Sequence, residues 1–129
     1  MLKMRINHIG IVVRDIEKSR LLFEKMGYSA MNGLISDFNQ NNRIMLLKLN
    51  STPIIELIEP INEMSSVYHS LPGYHHICYE KDDEEDIVQF YRDLKVGKVF
   101  TKPIVAPALD NKEVVFACMR DGNFVELII

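Results

Sequence analysis

The sequence predicts an α+β fold made of two tandem βαβββ modules, and three observations predict it. The run His8-Ile9-Gly10-Ile11-Val12-Val13-Arg14-Asp15 is echoed by His76-Ile77-Cys78-Tyr79-Glu80-Lys81-Asp82-Asp83, with the histidine, the isoleucine and the closing aspartate in step. Each copy alternates like a strand and then gives way to apolar residues at helical spacing. Each module closes on the same three residues, Glu56-Leu57-Ile58 and Glu126-Leu127-Ile128. Module one covers about residues 1–60 and module two about 73–129, within a single domain over 1–129.

A chain of 129 residues is long enough to bury a proper core. Its 47% apolar and 26% charged residues are those of an ordinary globular protein. The formal net charge of −3 leaves no basic footprint, so nucleic acid is not an expected partner. No apolar run is long enough to span a bilayer, and the N-terminal residues enter a strand pattern without an apolar signal core. No membrane partner is expected, and a cytoplasmic location is. Cys78 and Cys118 lie in apolar strand-like runs and read as small buried hydrophobes, not as a disulfide.

Arg5 to Val13 is the first strand, with His8, Gly10 and Val12 on one face and Ile9, Ile11 and Val13 on the other. Asp15 is its following N-cap, because a carboxylate there can accept from the unpaired amides of a first turn. Ile16, Leu22, Phe23 and Met26 carry a helix over about 16–26, and Gly27 stands where a left-handed cap belongs. A weak strand over 29–35 is interrupted by Asn32-Gly33, and the polar stretch 36–42 reads as a loop. Strong strands follow over 44–49 and 53–58, the latter with Glu56 between Ile54 and Ile58 on one face.

Residues 61–72 form the crossover between modules. After a strand over 74–80, Asp83 is the expected cap of a helix carrying Ile87, Phe90, Tyr91 and Leu94, with Glu84, Glu85 and Asp86 in its first turn and Gly97 at its end. A short strand over 98–101, a long loop over 103–111 and a strand over 113–119 follow. Asp121-Gly122-Asn123 is a hairpin turn into the last strand, 124–128, which again buries a glutamate, Glu126.

A single strand histidine is ordinarily a hydrogen-bonded core residue. A carboxylate in mid-strand is harder to dismiss, since burying the ion without a partner is costly. Two of each at duplicated positions point instead to one shared divalent-metal shell of His8, Glu56, His76 and Glu126. Imidazole and carboxylate together suit one ion of Zn, Ni, Co, Mn or Fe. His75 is expected on the opposite face of its strand from His76, outside the shell.

With these residues in place, the chain resembles the vicinal oxygen chelate superfamily, which includes glyoxalase I, methylmalonyl-CoA epimerase, extradiol dioxygenases and bleomycin-resistance proteins. The resemblance is carried by residues 8–15, 56–60, 75–80 and 120–127 and covers nearly the whole chain. It implies one curved, mostly antiparallel sheet around a metal, with helices outside, and the ligands His8, Glu56, His76 and Glu126. His75-His76-Ile77-Cys78-Tyr79-Glu80 and Glu56-Leu57-Ile58-Glu59-Pro60 look most like the epimerase branch. Epimerases commonly carry glutamine where Glu56 stands, and a catalytic glutamate in the loop where this chain has Asp37; Glu56 is what bacterial glyoxalase I enzymes show.

The implied function is metal-dependent stabilisation of an enolate during α-proton transfer on a small carbonyl or acyl-thioester substrate, with Glu126 as first candidate for the base and Glu56 for the opposite face. A glyoxalase I-like lyase and a non-catalytic binding or resistance protein are the alternatives. Lys48, Lys98, Lys102 and Arg120 are available to an acyl-CoA. A homodimer is expected, because paired-module sheets of this superfamily commonly pack against a second copy.

Overall fold

The computed structural model describes residues 4–82 and 85–129. Within them the chain runs β1 (Met4–Val12), α1 (Ile16–Lys25), β2 (Ser29–Ala30), β3 (Ile35–Asp37), β4 (Asn42–Lys48) and β5 (Ile54–Pro60). It continues as β6 (Gly73–Lys81), α2 (Ile87–Leu94), β7 (Gly97–Val99), β8 (Ile104–Ala106), a 3-10 turn (Pro107–Leu109), β9 (Lys112–Met119) and β10 (Phe124–Ile128).

The ten strands form one sheet along the path β2-β4-β5-β1-β6-β10-β9-β7, with β3 also on β4 and β8 also on β9. β1 and β6 are antiparallel and central; β5 runs parallel to β1, and β10 parallel to β6. All other pairings are antiparallel. β2 and β3 are two pieces of one interrupted strand on β4, as Asn32-Gly33 predicts, and β7 and β8 repeat the device on β9. The order βαβββ is therefore present twice.

Helix α1 starts and stops where its signals lie. The Asp15 side chain accepts from the Lys18 amide at 3.1 Å. At the other end the amides of Gly27 and Tyr28 donate back to the carbonyls of Glu24 and Phe23, the Schellman arrangement, with Gly27 at φ +106°. The Phe23 and Tyr28 rings meet edge to face at 5.3 Å and close that end with an apolar contact.

Helix α2 departs from expectation. Asp83 and Glu84 lie outside the described residues, and the cap is Asp86, whose carboxylate accepts from the Val88 and Gln89 amides. Glu85 therefore precedes the helix instead of filling its first turn. The helix ends at Leu94, with Lys95 left-handed at φ +56°, and Gly97 opens β7.

Two stretches read as loops carry more order than their composition suggests. The polar stretch 36–42 begins with the end of β3, where Asp37 is buried and its Oδ1 accepts from the amides of Asn39 and Gln40 at 2.9 and 3.1 Å. The stretch 103–111 holds β8 and the 3-10 turn. Pro103 and Pro107 sit just outside β8 and cost it no ladder bond. Three residues are too few to show alternation.

Each helix covers one half of the outer face. Ile16 of α1 packs with Met45, Leu47, Ile55 and Leu57; Ile87 and Tyr91 of α2 pack with Val115, Ala117, Val125 and Leu127. Leu47, Leu57 and Leu127 are fully buried, each contributing about 1.5–3 kcal/mol relative to exposure. Across the inner face the two ends of the sheet meet: Asn39 Nδ2 donates to the Val105 carbonyl at 2.8 Å, and Ile44 and Leu46 pack on Ala108 of the 3-10 turn. The sheet is thus curved, with helices outside and an enclosed inner face. Among the described residues no helix is long and apolar enough to cross a membrane.

Candidate metal centre

The four central strands β5, β1, β6 and β10 each bring one polar side chain to the inner face. In register, Gly10 stands between Glu56 of β5 and His76 of β6, and Cys78 stands between His8 of β1 and Glu126 of β10. Each half thus supplies one histidine and one glutamate by the same strand geometry. All four side chains are buried, and one ligand atom from each lies within 4.8 Å of the others. Glu126 Oε1 is 3.0 Å from both His8 Nε2 and His76 Nε2, and Glu56 is 3.4 and 3.8 Å from the same two nitrogens.

Two β-bulges orient the rings. The β1–β6 ladder passes from Ile6–Tyr79 to His8–Cys78, skipping Asn7, and from Gly10–His76 to Ile11–Tyr74, skipping His75. A skipped residue escapes the alternation and can turn onto its neighbour's face. Asn7 Oδ1 lies 2.7 Å from His8 Nδ1, and His75 Nδ1 lies 2.8 Å from His76 Nδ1. The expectation for His75 is therefore corrected: the bulge brings it to the inner face, where it lines the cavity and meets the Phe124 ring. Nothing in local alternation announces a bulge.

The donor set fits a divalent cation. Asn7 Nδ2 donates to Glu80 Oε1 at 3.3 Å, which fixes its Oδ1 toward His8 as an acceptor. His8 then carries one proton on Nδ1 and turns Nε2 inward, the nitrogen that a cation would claim by displacing the second proton. Two imidazole nitrogens 3.3 Å apart, facing two carboxylates, repel unless a proton or a cation sits among them. Glu126 Oε1 is buried without a hydrogen-bond donor. Imidazole and carboxylate in equal number are the donors borderline divalent ions accept.

Electrostatics agree in direction. Burial alone would lower His8, but the Glu56 charge, with Cys78 and Glu126 also beside the ring, holds it well above the ordinary histidine range. Burial would raise Glu126, yet the His76 and His8 rings, each 3.0 Å from its Oε1, pull it down to about 2. Burial, then the His76 ring, lowers His75 to about 4. Cys78 is pushed up to about 12 by burial and stays a thiol, filling volume as expected.

The sign of a pH effect follows. In the metal-free protein His8 keeps a proton at neutral pH that an ion must displace. Affinity for Zn²⁺ or Co²⁺ should then rise with pH, by up to about tenfold per unit for one displaced proton, and level off above the raised His8 pKa. Calorimetry in buffers of different ionisation heat should show about one proton released per ion bound; pH-independent binding without proton release would contradict it.

The centre opens into a cavity of about 220 Å³. Its wall includes the apolar side chains of Ile44, Ile58, Val67, Ile104, Phe116 and Phe124. Asp37, noted in the sequence only as the acid of a polar loop, lies in the same wall. Burial raises its carboxyl above the usual range, the amides of Gln40 and Asn39 oppose this, and the charges of Glu56 and Glu126 add to the rise. Its sequence signal is thin: the acid nearest the start of β4 in an otherwise neutral polar stretch.

A family model described as the Glyoxalase/Bleomycin resistance protein/Dioxygenase superfamily matches residues 7–127. Among solved structures, the chain is similar to a variant methylmalonyl-CoA epimerase of Streptomyces coelicolor in complex with 2-nitronate-propionyl-CoA, at 26% identity over 99% of this chain and 97% of that one, TM-score 0.81. It is similar to a methylmalonyl-CoA epimerase in complex with methylmalonyl-CoA and NH4+, at 26% identity over 99% and 94% of the two chains, TM-score 0.82. The epimerase of Mycobacterium tuberculosis shares the fold, with 20% identity over 95% and 85%, TM-score 0.80. No curated protein matches the chain.

Proposed function

We propose, because this chain belongs to the Glyoxalase/Bleomycin resistance protein/Dioxygenase superfamily, that it is a metal-dependent enzyme moving an α-proton of an acyl-thioester substrate, in the manner of a methylmalonyl-CoA epimerase. One observation carries the reading: the buried quartet of His8, Glu56, His76 and Glu126 adjoins a largely apolar cavity that Glu56, His76 and Glu126 line. The epimerases of similar structure bind acyl-CoA compounds at 26% identity, which supports the substrate class.

A bound divalent ion, Zn, Ni, Co, Mn or Fe, would supply Lewis-acid stabilisation of the charge left on the carbonyl oxygen when the proton departs. The chain supplies the rest. Its apolar wall excludes water and strengthens every charge interaction inside. Glu126 is the proposed base, since a carboxylate released from the two rings that hold it regains basicity, and Glu56 is proposed for the opposite face. Asp37, held above the usual carboxylate range in the cavity wall, is a third group able to carry a proton. Lys102, exposed next to Thr101 of the wall, is a candidate handle for a phosphate-bearing substrate.

The expected result is metal-dependent exchange of the α-hydrogen of methylmalonyl-CoA with deuterated water. Glu126→Gln should lower the rate by about 100-fold or more if it is the base, with metal content measured in parallel; an active, metal-replete variant removes it from that role. Glu56, a carboxylate where epimerases commonly carry glutamine, favours a second reading as a glyoxalase I-like lyase. Conversion of a glutathione hemithioacetal to a thioester would establish that reading. A metal-loaded protein that turns over neither substrate would leave a binding protein.

A homodimer is proposed as well, supported by exposed apolar side chains such as Leu21, Leu22 and Met26 on and after α1. Light scattering should give twice the chain mass, and a monomer at micromolar concentration would end the idea. The cytoplasmic location is carried forward on the free cysteines Cys78 and Cys118, and cell fractionation checks it.

A further inference from the structure

The two bulges do the same job in the two halves but end in different places. Asn7 is a dead end: its Oδ1 faces His8, and its Nδ2 is taken by Glu80, which is itself held by Arg5 Nε at 2.9 Å. His75 is not. Its Nδ1 faces His76, its ring lines the cavity, and its Nε2 has no hydrogen-bond partner among the described residues. The ring is steadied by contact with the Phe124 ring, with centroids 5.2 Å apart and planes tilted by 30°.

Tautomers follow from one constraint. When His76 offers a bare Nε2 to a cation, its proton is on Nδ1 and is donated to His75 Nδ1. A neutral His75 accepting there must carry its own proton on Nε2. The metal-facing tautomer of one ring thereby fixes the next, and the pair ends in an N–H donor at the wall of an otherwise mostly apolar cavity.

We propose that His75 has two roles: through Nδ1 it positions His76 for the ion, and through Nε2–H it binds a substrate oxygen that the cation leaves free, such as the outer oxygen of a carboxylate. The specificity this gives is for acyl compounds bearing such an oxygen near the reacting carbon. The matching residue of module one, Asn7, does not line the cavity and gives its Nδ2 to Glu80. The inference rests on the metal-dependent reading above.

The first experiment needs no substrate. Protein labelled with nitrogen-15 in histidine and loaded with Zn²⁺ should show His75 protonated at Nε2 and bare at Nδ1 in long-range proton–nitrogen spectra. Protonation at Nδ1 would overturn the assignment. The second compares variants. His75→Asn copies the module-one arrangement and should hold Zn²⁺ within about threefold of wild type, while His75→Phe, with no acceptor for His76, should lose about 10- to 100-fold.

With metal content equal to wild type, His75→Asp, whose carboxylate accepts from His76 but has no proton to donate, should raise the KM for methylmalonyl-CoA by about tenfold or more, the scale of one hydrogen bond to a charged oxygen, and change kcat less. A variant that is metal-replete with an unchanged KM overturns the substrate-binding role. If the wild type itself binds no methylmalonyl-CoA, the proposed function falls, and the tautomer spectrum still decides whether His75 presents Nε2–H to the cavity.

Discussion

Replacing His76 by alanine is expected to abolish metal binding and, with it, α-proton exchange. The ring is almost fully buried and touches every other part of the centre: His8 at a centroid distance of 5.4 Å, His75 at 5.0 Å and Phe116 at 5.5 Å. Loss of a ligand should cost more than the 10- to 100-fold in affinity typical of losing a group behind a ligand. Removing one partner of a buried ion pair commonly costs about 3–5 kcal/mol of stability. Here the loss should fall below that range, because His8 still faces Glu126 at 3.0 Å. A folded protein without its ion is therefore the expected product, and metal analysis beside a melting curve reads both quantities. A His76→Ala protein that keeps one ion per chain at wild-type affinity would remove His76 from the ligand set.

The second large effect is expected from a single methyl group. A Cβ at Gly10 would run into His76 Cε1 and lie 2.6 Å from Nδ1 and 2.8 Å from Nε2. All three contacts are far inside van der Waals range, so the ring must move. It has little room, held between Phe116, His75 and the glutamates. Overpacking of this kind costs about 1–3 kcal/mol. The functional cost should exceed it, because a displaced Nε2 no longer meets the other three ligand atoms. Gly10→Ala should thus fold with a lower melting temperature and bind Zn²⁺ at least about tenfold more weakly. Wild-type melting and wild-type affinity together would show that the ring does not rest on Gly10 as described. The repeat sets the contrast: Cys78 occupies the matching position opposite His8 and carries a side chain there.

Much of this molecule is written in local pattern. Period-two alternation placed His8 and Glu56 on inward faces, because a strand has only two faces and the helices need one of them. The Asp15 cap, the Gly27 end of α1 and the Asn32-Gly33 break are all local chemistry, and all are found where the residues stand. The duplicated His-Ile and Glu-Leu-Ile words revealed that four polar side chains share one centre, since equal positions in equal modules fall on neighbouring central strands. The cap of α2 was missed because consecutive acids offer equivalent side chains, and only the path of the chain into the helix selects Asp86.

What tertiary structure alone decided is the environment of those side chains. Asp37 became a buried carboxyl because the two ends of the sheet meet over it, joined by Asn39 and Val105. His75 reached the cavity because the ladder between β1 and β6 skips it, as it skips Asn7. A bulge is a property of two strands in register, here about seventy residues apart in sequence, and neither strand contains it alone. The sequence by itself determined which residues could bind an ion; the pairing of β1 with β6 decided what stands behind each imidazole, because hydrogen bonds across a sheet depend on register and not on the order of residues within a strand.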